Sequence, residues 1–233
     1  MIEEAIQKIL DIAQRYIVED DDRKFDSATL KPILAPVPDP IRSSSLQSVV
    51  DFLAFEFPAS TSGLALLVDY NTVKVVSGLV RPEMQRRTYL SASAPQVGDE
   101  FDAMLSVEDT VVWLQNGFVS TEDRDKLLAI VSHIVAGTNI KVSDDGMTQT
   151  AEVKSGLALK DREGIQNPIT LRPYQTFIEV DQPEVTCIVR LRGNEKSVQV
   201  TIKRADGGAW QIQARANISD WLKKKLPNMP IIA

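Results

Sequence analysis

The sequence predicts an α+β fold, with N-terminal helices and a small mixed sheet, then a mainly antiparallel β meander with a C-terminal helix. Three observations predict it. Apolar residues recur at helical spacing early in the 233-residue chain, and two serine-led capping boxes precede apolar runs. After residue 137, short apolar runs alternate with turn residues. The chain therefore divides into an α/β region, 1–137, and a β-rich region, 138–233, or the two together form one compact domain.

The N-terminal part begins with an amphipathic helix over residues 2–17, in which isoleucines, alanines and a leucine recur at helical spacing. Consecutive acids predict a solvated loop over 19–26, and four prolines predict an extended connection over 31–43. A second helix over LQSVVDFLAFEF (46–57) follows, opened by Ser44 or Ser45.

A small sheet and two capped helices complete this part. LALLVDY (64–70) and TVKVVSGLV (72–80) predict a hairpin, and RRTYLSASA (86–94) predicts a third strand. The capping box SVED (106–109) predicts a helix that ends at Gly117, and STED (120–123) predicts another that ends at Gly137.

The region after residue 137 is predicted to be mostly strand. A hairpin turns at Asp145–Gly146, and Gly164 marks a further turn. Asn217 is expected to cap a short last helix, ISDWLKKKL, followed by an apolar tail, PNMPIIA. Four successive strands are predicted between these features: QTFIEVD (175–181), EVTCIVRLR (184–192), KSVQVTIKRA (196–205) and AWQIQARA (209–216).

Composition excludes several classes of protein. The net charge of -6 repels free nucleic acid unless a local basic patch overrides it. One cysteine, Cys187, and one histidine, His133, permit neither an intrachain disulfide nor a zinc site of nitrogen and sulfur ligands. Cys187 stands in an apolar run and is interpreted as a small buried hydrophobe. Without a long apolar run or a signal peptide, the chain is expected to be cytoplasmic, with no membrane contact.

The motifs of common enzyme classes are absent from the sequence. It contains no GxxxxGK[ST], GxGxxG, GxSxG or HExxH pattern, which favours a non-enzymatic protein without a catalytic residue, metal or cofactor. A carboxylate pair stays open as an alternative. Glu179 and Asp181 would share one face of a strand, where they could hold a cation or form an exposed polar face.

Arginines and aromatic residues supply the other candidate binding groups. Arg190 and Arg192 share a strand face, Lys203 and Arg204 end the next strand, and Arg215 follows. With Tyr174 and Trp210, these basic residues could form a platform for stacked bases and phosphates, or a solvated sheet face. Arginines at a predicted strand entry could clasp a small anion such as a nucleotide. The full candidate set is Arg86, Arg87, Arg172, Tyr174, Glu179, Arg190, Arg192 and Trp210.

Two segments carry a resemblance to known proteins. NPITLRPYQTFIEVDQPEVTCIVRLR and ADGGAWQIQARANISDWLKKKL resemble an uncharacterised family of phage and prophage proteins, the YfdQ-like group. The resemblance extends from the SLQSVVDFL helix to the C terminus and transfers no activity or catalytic residue. It implies a cytoplasmic protein made in an infected bacterial host, in the context of replication, recombination or evasion of host defence.

Two functions are therefore expected. The first is a non-enzymatic phage accessory protein that forms homo-oligomers and acts through contacts with a host or phage protein or with nucleic acid. The alternative is a sponge or handler of a small anionic ligand, such as a nucleotide, with an arginine and aromatic pocket. A single-strand nucleic-acid binder and a carboxylate-metal hydrolase are less favoured by the sequence.

Overall fold

The computed structural model describes residues 2–13, 17–20, 23–26, 38–57, 63–79, 84–95, 99–136, 139–144, 148–155, 158–194 and 197–233. It has the predicted α+β fold. Within these residues the helices are α1 (Ile2–Ala13), α2 (Gln47–Phe55), α3 (Val107–Gly117), α4 (Glu122–Ala136) and α5 (Ala209–Lys225). The strands are β1 (Ile17–Asp20), β2 (Arg23–Asp26), β3 (Ile41–Ser43), β4 (Gly63–Leu67), β5 (Thr72–Ser77), β6 (Thr88–Ser93), β7 (Leu105–Ser106), β8 (Asn139–Asp144), β9 (Thr148–Ser155), β10 (Ala158–Gln166), β11 (Ile169–Leu171), β12 (Val185–Asn194), β13 (Ser197–Arg204) and β14 (Ile231–Ile232).

A mixed five-stranded sheet has the strand order β14-β4-β5-β6-β3. The predicted hairpin and third strand form its antiparallel centre, β4-β5-β6. The two edge strands, β3 and β14, each run parallel to their neighbour. The predicted apolar tail supplies β14, in which Ile231 pairs with Ala65 and Ile232 pairs with Leu66. The tail therefore docks on the chain's own sheet.

Antiparallel sheets dominate the C-terminal region. One has the order β11-β12-β13-β7 and another has the order β10-β9-β8, which contains the predicted hairpin of β8 and β9. The longest of these pairings joins β12 and β13 from Cys187↔Arg204 to Asn194↔Ser197. Gly137, the predicted end of a helix, and Asp145–Gly146, the predicted turn of the hairpin, lie outside the described residues.

Two hydrophobic cores are joined by α5. Its N-terminal half buries Trp210 and Ala214 in a core with the four-stranded sheet, α3 and α4. Its C-terminal half buries Ile218 and Leu222 in a second core with α2 and the five-stranded sheet. Both cores contain residues from before and after position 137. The division at 137 stays a prediction about folding units.

Side-chain caps start α3 and α4. Ser106 Oγ accepts a hydrogen bond from Asp109 N at 3.0 Å, as the capping box predicts. The second cap falls one residue later than predicted, because Thr121 Oγ1 accepts from Arg124 N at 3.3 Å. Ser120 instead donates its hydroxyl to Asp125 Oδ2 at 2.8 Å.

The segment predicted as the strand AWQIQARA is the start of α5, so that prediction is wrong. Asp206 caps the helix: its Oδ1 accepts from Gly208 N at 3.2 Å and its Oδ2 from Trp210 N at 3.0 Å. Gly207 and Gly208 have φ angles of 63° and 87°, which residues with a Cβ atom rarely adopt. Asn217 lies inside the 17-residue helix and does not begin it.

Two smaller predictions are also wrong. Residues 19, 20 and 23–26, expected to lie in a solvated acidic loop, belong to the antiparallel strands β1 and β2, in which Glu19 pairs with Lys24, and residues 21 and 22 lie outside the described residues. Gly164 is not a turn, because it lies inside β10 and pairs with Thr150.

Cys187 is fully buried on β12, as predicted for a small hydrophobe. Burial raises the pKa of its thiol to about 12, so the thiol stays protonated. His133 is exposed on α4 and is not on an apolar face of that helix. No helix in the described part of the chain has the length and apolar character needed to cross a membrane.

Candidate functional site

Residues 172–184 form a loop, here called the 172–184 loop, where the sequence predicted the strand QTFIEVD. The strand prediction is wrong because a side chain takes the hydrogen bonds that a neighbouring strand would make. Gln182 Oε1 accepts from Gln175 N at 3.0 Å and from Thr176 N at 3.3 Å. Gln182 Nε2 donates to Phe177 O at 3.0 Å and to Val180 O at 3.3 Å. One buried amide therefore replaces a strand partner.

Two predicted site residues, Arg172 and Tyr174, hold this loop in place. Arg172 Nε donates to Gln182 O at 2.9 Å. The backbone beside them pairs with the end of α3: Tyr174 N donates to Gly117 O and Val119 N donates to Arg172 O, both at 2.9 Å. Both side chains are half-buried. These contacts serve the loop's conformation.

Glu179 caps α2 across a long sequence separation. Its Oε1 accepts from Ser45 Oγ at 2.6 Å, from Leu46 N at 2.8 Å and from Gln47 N at 3.3 Å. A carboxylate at a helix N terminus satisfies free N–H groups and complements the helix dipole. The expected pairing of Glu179 with Asp181 on a strand face is therefore wrong, and Glu179 has a structural role.

The ionisation of Glu179 follows from this cap. Burial by itself raises its pKa, but the hydrogen bonds from Ser45 and from backbone N–H groups outweigh burial. The pKa of Glu179 consequently lies below its ordinary value of 4.5. Because folding lowers this pKa, the stability it contributes is present above the unfolded value and is lost as the pH falls through the folded value.

Glu179→Gln is expected to lower the free energy of unfolding at pH 7 by about 1–2 kcal/mol, because glutamine keeps an acceptor but loses the charge. Urea unfolding at several pH values measures the difference between this variant and the unaltered protein. The difference should shrink as the pH falls below 4.5. Glu184 is an exposed acid at the end of the same loop, and Glu184→Gln is therefore the control variant. A difference that stays constant down to pH 3 would contradict the cap.

The predicted arginines lie on separate elements. Arg86 Nη1 donates to Ser77 O at 3.0 Å, and Arg87 N donates to Ser77 Oγ at 2.9 Å, so both help to join the ends of β5 and β6. Arg190 and Arg192 do share one face of β12, as predicted, where they are opposite Thr201 and Gln199 of β13.

Trp210 lies on the other face of this sheet. It is buried in the core that also contains Cys187 and Val189, which alternate along β12 with the arginines. Its ring packs against Tyr70 with centroids 4.7 Å apart. The structure therefore does not bring Trp210 together with Arg190 and Arg192 as a stacking platform.

Arg204, one of the basic residues expected at the platform, is the arginine that contacts aromatic rings. Its Cζ lies 4.1 Å from the centroid of Phe101 and 5.6 Å from that of Trp210. Its Nη2 lies 3.0 Å from Asp99 Oδ2. Asp99 neutralises the guanidinium, and the rings cover it. The cluster ties the loop before β7 to the end of β13.

A cleft lies between α4 and the β10–β11 connection. Its volume is about 470 Å³, within the range of small-molecule sites. Asp123 joins its two walls, since Asp123 Oδ2 accepts from Thr170 N of β11 at 2.8 Å. The lining residues are Asp123, Lys126, Leu127, Ala129, Ile130, Ile165, Gln166, Pro168 and Ile169.

The apolar face of α1 is the second notable surface. Ile2, Ile6 and Ile9 lie on one side of the helix and are 80%, 53% and 64% exposed. The opposite side is polar, with Gln7 Nε2 donating to Asp11 Oδ1 at 3.2 Å. The predicted amphipathic helix is therefore confirmed over Ile2–Ala13, and Ile2, Ile6 and Ile9 of its apolar face are exposed.

Comparisons with models of protein families, with curated proteins and with solved structures found no match to this chain.

Proposed function

We propose that the protein is a non-enzymatic phage accessory protein of the infected bacterial host's cytoplasm, which self-associates through α1 and acts through contacts with protein or nucleic acid. The observation that carries the proposal is the exposed isoleucine face of α1. The phage context rests on the resemblance of the C-terminal segments to the YfdQ-like group.

The length of α1 is the first argument for a partner on this face. An isolated helix of 12 residues is marginally stable in water, because most helical stability in proteins comes from packing an apolar face. Burial of each exposed isoleucine would stabilise an interface by about 1–2 kcal/mol. A second copy of α1 offers the same apolar surface, so two helices can pair about a two-fold axis.

The charges of α1 disfavour a membrane as the occupant. Glu3, Glu4 and Asp11 outnumber Lys8 on the helix. Helices that bind lipid surfaces carry lysine and arginine on their polar face, because anionic headgroups repel acids. The apolar face of α1 therefore suits a protein surface better than a membrane. A second copy of the chain is a partner that is present wherever the protein itself is present.

The alternative, a handler of small anions with an arginine and aromatic pocket, has weaker support. Arg86 and Arg172 donate to backbone oxygens of the chain. Arg204, the arginine held against aromatic rings, is paired with Asp99. An anion at Arg204 would have to displace this carboxylate.

Ile6→Lys is expected to shift the protein from dimer to monomer, with at least a tenfold rise in the dimer dissociation constant, because it places a charge in the centre of the apolar face. Light scattering after size exclusion, over a range of protein concentrations, measures this constant. Gln7→Lys adds the same charge on the polar face and should leave the dimer intact. A monomer at all concentrations of the unaltered protein, or equal effects of both variants, would refute self-association through α1.

A further inference from the structure

The cleft between α4 and the β10–β11 connection combines apolar walls with a fixed carboxylate. Leu127 and Ile165 are buried at its base, and Ile130 and Ile169 are half-buried on its sides. Apolar lining with a few placed polar groups is the usual composition of a small-molecule site. The cleft therefore suits a ligand whose body is apolar.

Asp123 is the polar group held most firmly in this cleft. It is half-buried, and Thr170 N fixes its Oδ2. Its other oxygen, Oδ1, has no hydrogen bond within the described residues and can accept a donor from a ligand. The net charge of -6 on the chain adds a weak attraction for a cation.

Lys126 is the cation at the rim, and it already has a partner. Its Nζ lies 2.5 Å from Glu122 Oε1. The hydrogen bond to Glu122, with smaller contributions from the charges of Glu122 and Asp123, raises the pKa of Lys126 above its ordinary value. The side chains of Lys126 and Glu122 are both mostly exposed to solvent. A ligand carboxylate would have to compete with Glu122, whereas a ligand donor meets an available oxygen on Asp123.

We propose that this cleft binds a small amphipathic amine, with the ammonium group on Asp123 and the apolar body against Ile130, Ile165 and Ile169. The amine donates hydrogen bonds to the carboxylate and gains a charge pair at the edge of an apolar surface, where water screens it less than in bulk. The proposal is independent of self-association, because none of the described residues that line the cleft belongs to α1.

The test uses two probes of nearly equal shape and opposite charge, 2-phenylethylamine and 3-phenylpropanoate. Isoleucine methyl NMR spectra of the full chain are recorded during titration. The amine is expected to shift the methyl signals of Ile130, Ile165 and Ile169 saturably, with a dissociation constant on the order of 1 mM. The carboxylate is expected to bind at least about tenfold more weakly.

Two matched variants locate the head group. Asp123→Asn keeps an oxygen for Thr170 N but removes the charge, and should weaken amine binding at least about tenfold. Asp125→Asn removes the same charge from an exposed acid outside the cleft and should change binding by less than about twofold. Absence of saturable methyl shifts, tighter binding of the carboxylate, or equal weakening by both variants would each overturn the proposal.

Discussion

Gln182→Ala is expected to lower the free energy of unfolding by about 3–5 kcal/mol. The buried amide makes four hydrogen bonds within the 172–184 loop, to Gln175 N, Thr176 N, Phe177 O and Val180 O. Alanine removes all four. Phe177 O still accepts from Val180 N at 3.3 Å, but Gln175 N, Thr176 N and Val180 O lose this partner, and a buried bond left unmade costs about 1–3 kcal/mol. The effects are not additive, because water and loop movement restore some of the bonds.

Urea unfolding followed by circular dichroism measures this loss, and two further variants separate its causes. Gln182→Glu retains the acceptors for Gln175 N and Thr176 N but loses both donated bonds and buries a charge, so it should be no more stable than Gln182→Ala. Gln211→Ala, at an exposed position of α5, should change stability by less than about 0.5 kcal/mol. A loss below about 1 kcal/mol for Gln182→Ala would show that the loop does not depend on this amide.

The role of Gln182 illustrates what the sequence could not predict. QTFIEVD has the aromatic and β-branched residues of a strand, and local composition favours that assignment. The loop conformation instead depends on an amide at the end of the segment and on Glu179 reaching Ser45, 134 positions away. Contacts over such separations leave no periodic pattern in one sequence, so tertiary context overrides local propensity here.

The start of α5 did leave a signal. Trp210, Ala214, Ile218 and Leu222 recur every four residues and form its buried stripe. Asp206 stands just before the helix as an acceptor for free N–H groups. The two glycines that follow Asp206 favoured a hairpin turn in the sequence, and the short alternation of AWQIQARA reinforced a strand.

Several elements whose signals are local were predicted correctly. The Ser106 cap lies three residues from its partner, and the β4–β5 hairpin has strands separated by a short turn. The alternation of Val198, Val200 and Ile202 predicts one buried face of β13, and all three are buried. The binding roles of the arginines stay predictions, since the geometry determines where they lie but no ligand identifies them.

Phe177→Ala is expected to lower the free energy of unfolding by about 3–5 kcal/mol, the usual cost of a cavity left by a large core side chain. Phe177 is fully buried and belongs to the core that contains Ile218 and Leu222 of α5. The 172–184 loop thus supplies a core residue between α5 and the five-stranded sheet, and its loss weakens the contact between them.

Ile178→Ala is the matched variant that separates the loop from the predicted strand. Ile178 is 80% exposed, whereas Val180 is buried, so the two residues do not share a face as they would in a strand. Ile178→Ala should therefore change stability by less than about 0.5 kcal/mol, because few of its contacts are lost on replacement. Equal costs for Phe177→Ala and Ile178→Ala in urea unfolding would contradict the observed loop. A small cost for Ile178→Ala beside a large one for Phe177→Ala would confirm that this segment anchors the core through one side chain.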